Sequence, residues 1–220
     1  MRGIKRVLIA CEVSQTITSE FLNQGIECYS CDIQPTQGNY PENHIIEDAL
    51  KVAYNQKFDL MIAHPPCTYL AISGAKHLYH SNGTINKFRL EQQKAAIEFV
   101  RLLLNAPIRY ICIENPVSVL STAIRKPDQI IQPYYLGDPY QKTTCLWLKN
   151  LPVLQPTNIV NRGHFKTWQC QKTGAMKRIP LWYSNSNKQT RSKTFPGIAK
   201  AMVEQWKSIT QYQGEITWNI

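Results

Sequence analysis

An apolar run that ends at two prolines constrains the fold of this chain more than any other stretch of its sequence. Residues 60–63 are apolar or small without alternation, which is typical of a central strand in a parallel sheet, where both faces are covered. Pro65 and Pro66 follow, and neither has a backbone N–H with which to extend the pairing. The strand is therefore predicted to end at His64, and Cys67 comes just beyond its carboxyl end, where open α/β sheets bind ligands.

A second apolar run also ends in polar groups. Residues 108–113 are mostly apolar, and a carboxylate, an amide and a proline follow as Glu114, Asn115 and Pro116. If both runs are strands of one parallel sheet, they deliver a thiol and an acid to the same edge. The alternative is that Cys67 is a small buried hydrophobe, as most free cysteines are.

This pair of strand ends resembles the catalytic centre of the C5-cytosine DNA methyltransferases. In that family the cysteine thiolate adds to C6 of a flipped-out cytosine, the glutamate contacts N3 and the exocyclic amine, and C5 then takes the methyl group of S-adenosylmethionine. The resemblance implies Cys67 as nucleophile, Glu114 as the acid at N3 and Asn115 as a support, with Pro65 near the cofactor and Pro66 near the substrate. The chemistry needs these residue types, because the aromatic C5 becomes nucleophilic only when thiol addition at C6 makes it enamine-like.

Length and composition place the chain among ordinary globular proteins. The 220 residues, 43% hydrophobic and 18% charged, fit one domain with an ample core and at most a small appendage. No apolar run approaches the roughly 18 residues that cross a bilayer, and the opening apolar segment is too short for a signal peptide. We therefore expect a cytoplasmic protein without a membrane partner, whose seven cysteines stay reduced.

Cys28 and Cys31 have the C-x-x-C spacing of zinc and redox sites, but no second pair lies at a suitable distance along the chain. Residues 26–31 also alternate as a strand does, which would put the two thiols on opposite faces. We therefore expect no metal.

The first third of the chain is predicted to alternate strands with a helix. Residues 5–10 form a short apolar run, Ser14 is a candidate cap for a helix over about 16–23, and the second strand ends in Asp32. An acid at such a strand tip accepts hydrogen bonds from ribose hydroxyls in nucleoside-binding α/β folds. The alternative is a simple turn residue before Pro35. Residues 44–48 form a plausible third strand with Asp48 at its tip.

The resemblance implies S-adenosylmethionine as cofactor, and one loop departs from the family. Where the family has a glycine-rich loop against the amino-acid end of the cofactor, residues 10–15 contain no glycine. Ala10 and Ser14 are small, and the Glu12 carboxylate could bind the cofactor's ammonium group. Asp48 corresponds to an acid that approaches the adenine, and Asp32 to the ribose ligand.

The middle of the chain is predicted to supply a loop, a crossover helix and two further strands. Residues 68–87 are predicted to be a long loop, which the family closes over its nucleic acid, and residues 88–105 have helical periodicity. Residues 129–148 are predicted to be strand, turn and strand. Within them, residues 137–148 resemble the family's Gly-x-Pro-Gln-Arg-x-Arg element, which implies substrate contacts from the three residues Gln141, Lys142 and Thr143.

Positive charge is concentrated in the last third of the chain. Residues 157–220 hold 10 Lys+Arg against 2 Asp+Glu, whereas residues 1–156 hold 15 against 13. Such an excess attracts phosphate, and aromatic residues among cations are typical of single-strand binding. We therefore predict contacts with single-stranded or duplex DNA from Lys177, Arg178 and Arg191. A solvated surface and a small hydrophobic cluster are the alternatives.

Together these features predict a doubly wound, Rossmann-like α/β fold of the class I S-adenosylmethionine-dependent methyltransferase type. Residues 1–150 would form the catalytic domain, 151–196 a small, basic, irregular substrate-contact segment, and 197–220 a C-terminal helix and tail that pack on the catalytic domain. The predicted function is methyl transfer to C5 of cytosine in DNA, in a short protein that resembles phage- or prophage-borne members of the family. The alternatives are an enzyme that adds the same thiol to a free pyrimidine nucleotide, or a catalytically silent nucleic-acid-binding or inhibitory protein.

Overall fold

The computed structural model describes residues 3–209, apart from the side chains of residues 188 and 189. Seven strands form the main sheet: β1 (Arg6–Ala10), β2 (Glu27–Asp32), β3 (His44–Ile46), β4 (Leu60–Ala63), β5 (Tyr110–Asn115), β6 (Gln129–Ile131) and β7 (Thr144–Lys149). Their order is β3-β2-β1-β4-β5-β7-β6, and β7 runs antiparallel to both of its neighbours. A parallel sheet of this order with one reversed strand near its edge is the class I methyltransferase fold, so the predicted fold class is confirmed.

Helices cover both faces of the sheet. The helices are α1 (Thr16–Asn23), α2 (Ala49–Asn55), α3 (Lys87–Leu104), α4 (Leu120–Ala123), α5 (Leu181–Asn185), α6 (Lys188–Ser192) and α7 (Pro196–Trp206). Helices α1 and α7 pack with one face of the sheet, and α2, α3 and α4 pack with the other. The sheet interior is thereby shielded on both sides, which explains why its central strands are almost continuously apolar.

The alternation of side chains along each strand divides the core between these two faces. In β1, Val7 and Ile9 pack in the hydrophobic cluster on the side of α1 and α7. Leu8 and Ala10 pack in the cluster on the side of α2, α3 and α4, and all four residues are fully buried. Cys28 and Cys31 likewise lie in opposite clusters, as the strand pattern predicted.

The last helix is fixed to the first face by a buried tryptophan. Trp206 is fully buried in α7, and its indole Nε1 donates a hydrogen bond of 3.1 Å to the backbone oxygen of Pro152. Residues 210–220 of the predicted C-terminal tail lie outside the described residues. Within residues 3–209, no helix is both long enough and apolar enough to cross a membrane.

Two predictions about irregular segments were wrong. Residues 151–196, expected to be irregular, contain a hairpin of β8 (Phe165–Gln169) and β9 (Met176–Pro180), followed by α5 and α6. Both faces of this hairpin are largely exposed, so its sequence lacks the apolar alternation by which a strand is recognised. The loop over residues 68–87 contains a 3₁₀ helix at Ile72–Leu78, an element too short to have a periodic signature.

Candidate active site

The carboxyl ends of β4 and β5 bring a histidine against the predicted acid. The register pairs Ala63 with Ile113, so the next residues, His64 and Glu114, stand side by side. Nδ1 of His64 lies 2.7 Å from Oε2 of Glu114, and their side chains are 15% and 11% exposed. Two neighbouring strands thus end in one nearly buried polar pair.

Asn115 ties the second strand to the proline pair. Its Nδ2 donates a hydrogen bond of 2.9 Å to the backbone oxygen of Pro65, and the residue is 2% exposed. Its Oδ1 is buried and has no hydrogen-bond partner among residues 3–209. The amide therefore fixes the chain just before Cys67 and keeps one acceptor free.

Cys67 is exposed at this edge. Its backbone oxygen accepts hydrogen bonds from the N–H groups of Leu70 and Ala71, at 3.1 and 2.9 Å, so the residue opens a tight turn after the two prolines. The alternative of a small buried hydrophobe is therefore wrong, and the thiol is open to a ligand.

The His64–Glu114 pair dominates the electrostatics of the site. Burial acts to raise the pKa of Glu114, but the charge and hydrogen bond of His64, aided by Lys142, outweigh burial and lower this pKa to about 2. Burial acts to lower the pKa of His64, but the charge and hydrogen bond of Glu114 outweigh it, so the pKa is raised. Between these two pKa values, Glu114 is ionised and His64 carries the proton.

Sequence reasoning missed two members of this site. His64 was predicted only as the end of a strand, although a polar residue closing a buried apolar strand was a usable signal. Thr194 is 8% exposed and donates through Oγ1 to Oε2 of Glu114 at 3.4 Å. It lies 80 positions from Glu114 and carries no local sign of this role.

Of the three predicted substrate residues before β7, Lys142 acts on the acid through its charge. It lowers the pKa of Glu114, and its Nζ donates to the backbone oxygen of Lys193 at 3.3 Å. Oγ1 of Thr143 accepts a hydrogen bond from Gln132 at 2.9 Å. Oε1 of Gln141 is buried without a partner among the described residues.

A pocket of about 360 Å³ opens beside the strand ends. It brings together Asp32, Asp48, Pro65 and Pro66 of the predicted site, and Cys11 from the loop after β1. The rest of its wall is largely apolar or aromatic and includes Ile33, Tyr69, Ala96 and Phe99.

The glycine-free loop after β1 adopts the conformation that glycine would favour. Cys11 and Gln15 have φ values of 60° and 54°, a left-handed region that costs other residues roughly 1–2 kcal/mol each. The fully buried Gln15 side chain holds the loop, since it donates to Ser30 Oγ at 2.9 Å and to the backbone oxygen of Tyr40 at 2.8 Å. Buried hydrogen bonds thus hold a backbone shape that glycine reaches without strain.

The predicted residues of this loop lie outside the wall of the pocket. Glu12 is 4% exposed, and its carboxylate accepts from the backbone N–H of Ile17 at 2.8 Å and from Thr18 Oγ1 at 2.6 Å. Ser14 Oγ lies 3.1 Å from Thr16 Oγ1, and no side chain caps α1 from the position before it. The prediction that Ser14 caps α1 was therefore wrong, because the Glu12 carboxylate satisfies the first amides of the helix. Ala10 is fully buried as the last residue of β1.

The basic segment combines an exposed hairpin with an aromatic cluster. Trp168 pairs with Lys177 across the hairpin and is 42% exposed. Arg178 lies over the Phe165 ring at 5.1 Å, and Arg191 lies over a tyrosine ring at 4.5 Å. Farther on, the Trp182 ring contacts those of Tyr140, Tyr183 and Phe195. The segment therefore contains both exposed cations and a small hydrophobic cluster, which the sequence analysis had treated as alternatives.

Comparisons with known proteins gave matches only in structure. No family model matches the chain, and no curated protein matches its sequence. A putative DNA modification methyltransferase encoded within an E. coli prophage matches 71% of this chain and 52% of its own, with 14% identity and a TM-score of 0.44. Dnmt2 of S. pombe matches 69% of this chain and 50% of its own, with 14% identity and a TM-score of 0.39. A DNMT2 mutant of Spodoptera frugiperda matches 72% of this chain and 55% of its own, with 14% identity and a TM-score of 0.38. The chain spans about half the length of these proteins.

Proposed function

We propose that this protein transfers a methyl group from S-adenosylmethionine to C5 of cytosine in DNA, with Cys67 as the nucleophile. One observation carries most of the proposal. An exposed thiol follows β4, an ionised glutamate lies near the end of the adjacent β5, and the wall of a pocket of about 360 Å³ includes Pro65 and Pro66, the two residues directly before the thiol. Ligands of doubly wound sheets bind at this edge, and the resemblance assigns the same two residue types to cytosine.

The pocket suits the nucleoside part of the cofactor. Its volume of about 360 Å³ lies in the range of small-molecule sites, and its apolar wall suits a flat ring. Oδ1 of Asp32 accepts from the N–H of Gln34 at 2.9 Å, and Oδ1 of Asp48 from that of Leu50 at 2.7 Å, so both carboxylates are held in place. We assign the ribose hydroxyls to Asp32 and the adenine side to Asp48, against Pro65. When bound, the cofactor supplies an electrophilic methyl group.

The loop after β1 is the proposed neighbour of the cofactor's amino-acid end. Ala10 and Ser14 offer little bulk there. The Glu12 carboxylate already accepts hydrogen bonds from α1, so it would attract the ammonium group through its charge rather than through a free oxygen.

At the substrate, Cys67 forms a bond from its thiolate to C6 of the ring. The ring electron pair displaced by this addition moves to N3, which takes up a proton beside the ionised Glu114 carboxylate, and C5 becomes enamine-like. Asn115 supports the geometry through its hydrogen bond to Pro65. Pro66, Gln141, Lys142 and Thr143 are the proposed contacts around the base.

DNA is the proposed partner, contacted by Lys177, Arg178 and Arg191. Arg178 and Lys177 lie on the exposed strand β9, and Arg191 lies near Tyr183. Since a flipped base costs least where it is unpaired, we infer a preference for single-stranded or mismatched DNA. A phage-borne protein acting in the reducing cytoplasm would keep the Cys67 thiol free.

The decisive variant is Cys67→Ser. Serine is nearly isosteric but far less nucleophilic, so methyl transfer should fall by at least about 10³-fold while thermal unfolding stays unchanged. Wild-type protein should also form a covalent adduct with an oligonucleotide that contains 5-fluorocytosine, measured by denaturing electrophoresis and mass spectrometry, because the C5 fluorine cannot leave.

Cys170→Ser is the matched control, since Cys170 is partly exposed in the turn after β8 and has no assigned role. It should keep both the adduct and turnover. An adduct on the Cys67→Ser protein would refute the assignment of the nucleophile.

A further inference from the structure

The Glu114 carboxylate is held by hydrogen bonds on one oxygen only. Within the described part of the chain, both hydrogen bonds that it accepts, from His64 and Thr194, go to Oε2. Oε1 is left for a ligand. His64 in turn has a buried Nε2 with no partner among residues 3–209, so this ring is not simply satisfied inside the core.

The substrate ring needs a proton that Glu114 does not hold. N3 of cytosine is an acceptor, and an ionised carboxylate has only acceptors, so the two form a hydrogen bond only when a proton is placed between them. His64 is the nearest described source, because its Nδ1 lies 2.7 Å from Oε2 of the same carboxylate.

We propose that His64 supplies the proton that Glu114 delivers to N3 of cytosine while Cys67 adds to C6. This inference rests on the function proposed above. The thiolate pair forms the S–C6 bond and the displaced ring pair moves to N3. One proton passes from Nδ1 of His64 to the Glu114 carboxylate and on from the carboxyl group to N3, so the imidazole ends neutral and the carboxylate ends ionised again. When the adduct breaks down, N3 returns its proton along the same path. His64 acts through Glu114 and does not touch the base.

Three charged groups face the imidazole. Glu114 comes from β5, Glu12 from the loop after β1, and Lys142 from the segment before β7. The two acids raise the pKa of His64 and Lys142 lowers it, while burial, the largest single effect, also lowers it. The acids prevail, so the pKa of His64 is raised above its ordinary value. The ring therefore keeps its proton to a higher pH than a free histidine would, and loses it as pH rises through the raised pKa.

The same arrangement selects cytosine over uracil. N3 of uracil already carries a proton, and its C4 bears an acceptor oxygen where cytosine has an amine. A carboxylate with one deliverable proton matches the acceptor N3 and the donor amine of cytosine. Without that proton, the ionised carboxylate would instead suit the N3–H of uracil.

The test is hydrogen exchange at C5 of the base, which needs no cofactor. In D₂O the enamine carbon takes a deuteron from solvent and loses its original proton before the thiolate leaves, so reversible addition at C6 labels C5. The probe is a library of single-stranded oligonucleotides in which one cytosine, or one uracil, is flanked by every combination of neighbouring bases. Mass spectrometry measures the deuterium incorporated at C5. His64→Asn is the informative variant, because its amide can still donate to Glu114 but has no proton to give up.

For wild-type protein the exchange rate on cytosine should fall as pH rises through the raised pKa of His64. His64→Asn should be slower by about 100-fold at lower pH, the scale of general acid catalysis, and should lose the alkaline decline. Its preference for cytosine over uracil should shrink by about tenfold or more. His64→Gln should behave likewise if it folds. Thermal unfolding of each variant separates loss of proton transfer from loss of structure.

Other outcomes are equally clear. A His64→Asn protein with the wild-type rate and pH profile would overturn the role of His64 and leave the nucleophile intact. If both variants unfold, the wild-type profile decides, since a rate that is flat across the raised His64 pKa overturns the proposal. No exchange in wild-type protein on either base would instead overturn the proposed function itself.

Discussion

The strand-end site and the β8–β9 hairpin hold their charges in opposite environments. His64 and Glu114 lie 2.7 Å apart with 15% and 11% of their side chains exposed, whereas Trp168, beside Lys177 in the hairpin, is 42% exposed. In the first region the low dielectric strengthens the Coulomb interaction between the two charges, and this interaction shifts their pKa values. In the second, salt at about 0.1 M screens charges beyond roughly 10 Å. A single proton can therefore matter at the strand ends, while the hairpin acts only through the sum of several cations.

The largest expected effect separates the two regions by stability. Removing one partner of a nearly buried ion pair costs roughly 3–5 kcal/mol, because the remaining charge is left unpaired. His64→Ala should therefore lower the free energy of unfolding, measured in urea near neutral pH, on that scale. Lys177→Ala should change it by no more than about 0.5 kcal/mol, as is usual for exposed surface residues.

The pH dependence of this stabilisation follows from the two pKa shifts. Glu114 has its pKa lowered from 4.5 to about 2, so its contribution is complete above about pH 4.5 and is lost as pH falls toward 2. His64 has its pKa raised from 6.5, so its contribution is complete below that value and is lost as pH rises through the raised pKa. The double variant His64→Asn with Glu114→Gln should lack both dependences. A double variant with the wild-type curve would assign them to other groups.

The sequence predicted the strand ends well because they depend on local physics. Two prolines stop β4 whatever surrounds them, and uninterrupted apolar runs belong in covered parallel strands. The predicted helix over 16–23 coincides with α1, Thr16–Asn23. That the ends of β4 and β5 lie side by side, with His64 next to Glu114, followed from the rule that parallel strands share their carboxyl ends.

What the sequence could not supply depends on contacts between distant residues. Thr194 reaches Glu114 across 80 positions, and Gln15 holds the left-handed loop after β1 through side-chain hydrogen bonds with Ser30 and Tyr40. Glu12, rather than Ser14, satisfies the start of α1 because the left-handed turn brings the carboxylate to the helix. None of these roles is visible from residue type or spacing.

An effect of intermediate size is expected at the pocket proposed for the cofactor. Asp32→Ala should weaken binding of S-adenosylmethionine, measured by calorimetry, by roughly 1.5–3 kcal/mol, the scale for losing a hydrogen bond to a charged group. Glu98→Ala is a suitable control, since this acid lies on α3 with 57% of its side chain exposed. If wild-type protein fails to bind the cofactor at millimolar concentration, the catalytically silent alternative gains instead.

The smallest effect per residue is expected at the hairpin, where the test is salt dependence. Each contacted phosphate releases condensed counterions, so log affinity should fall linearly with log salt, by about 0.7 per phosphate on single strands and 0.9 on duplex. Three to six contacts would give slopes of about −2 to −5, which a mononucleotide with its few charges does not produce.

Neutralising Lys177, Arg178 and Arg191 together should reduce the slope by about 2–3 units and weaken all sequences alike. The control replaces three lysines on α2, α3 and α7 whose side chains are 66%, 62% and 67% exposed, namely Lys51, Lys94 and Lys200. Fluorescence anisotropy with oligonucleotides from about 50 to 300 mM salt measures both. Equal slopes for the two triple variants would assign the basic segment to solubility and favour a free nucleotide as the substrate of Cys67.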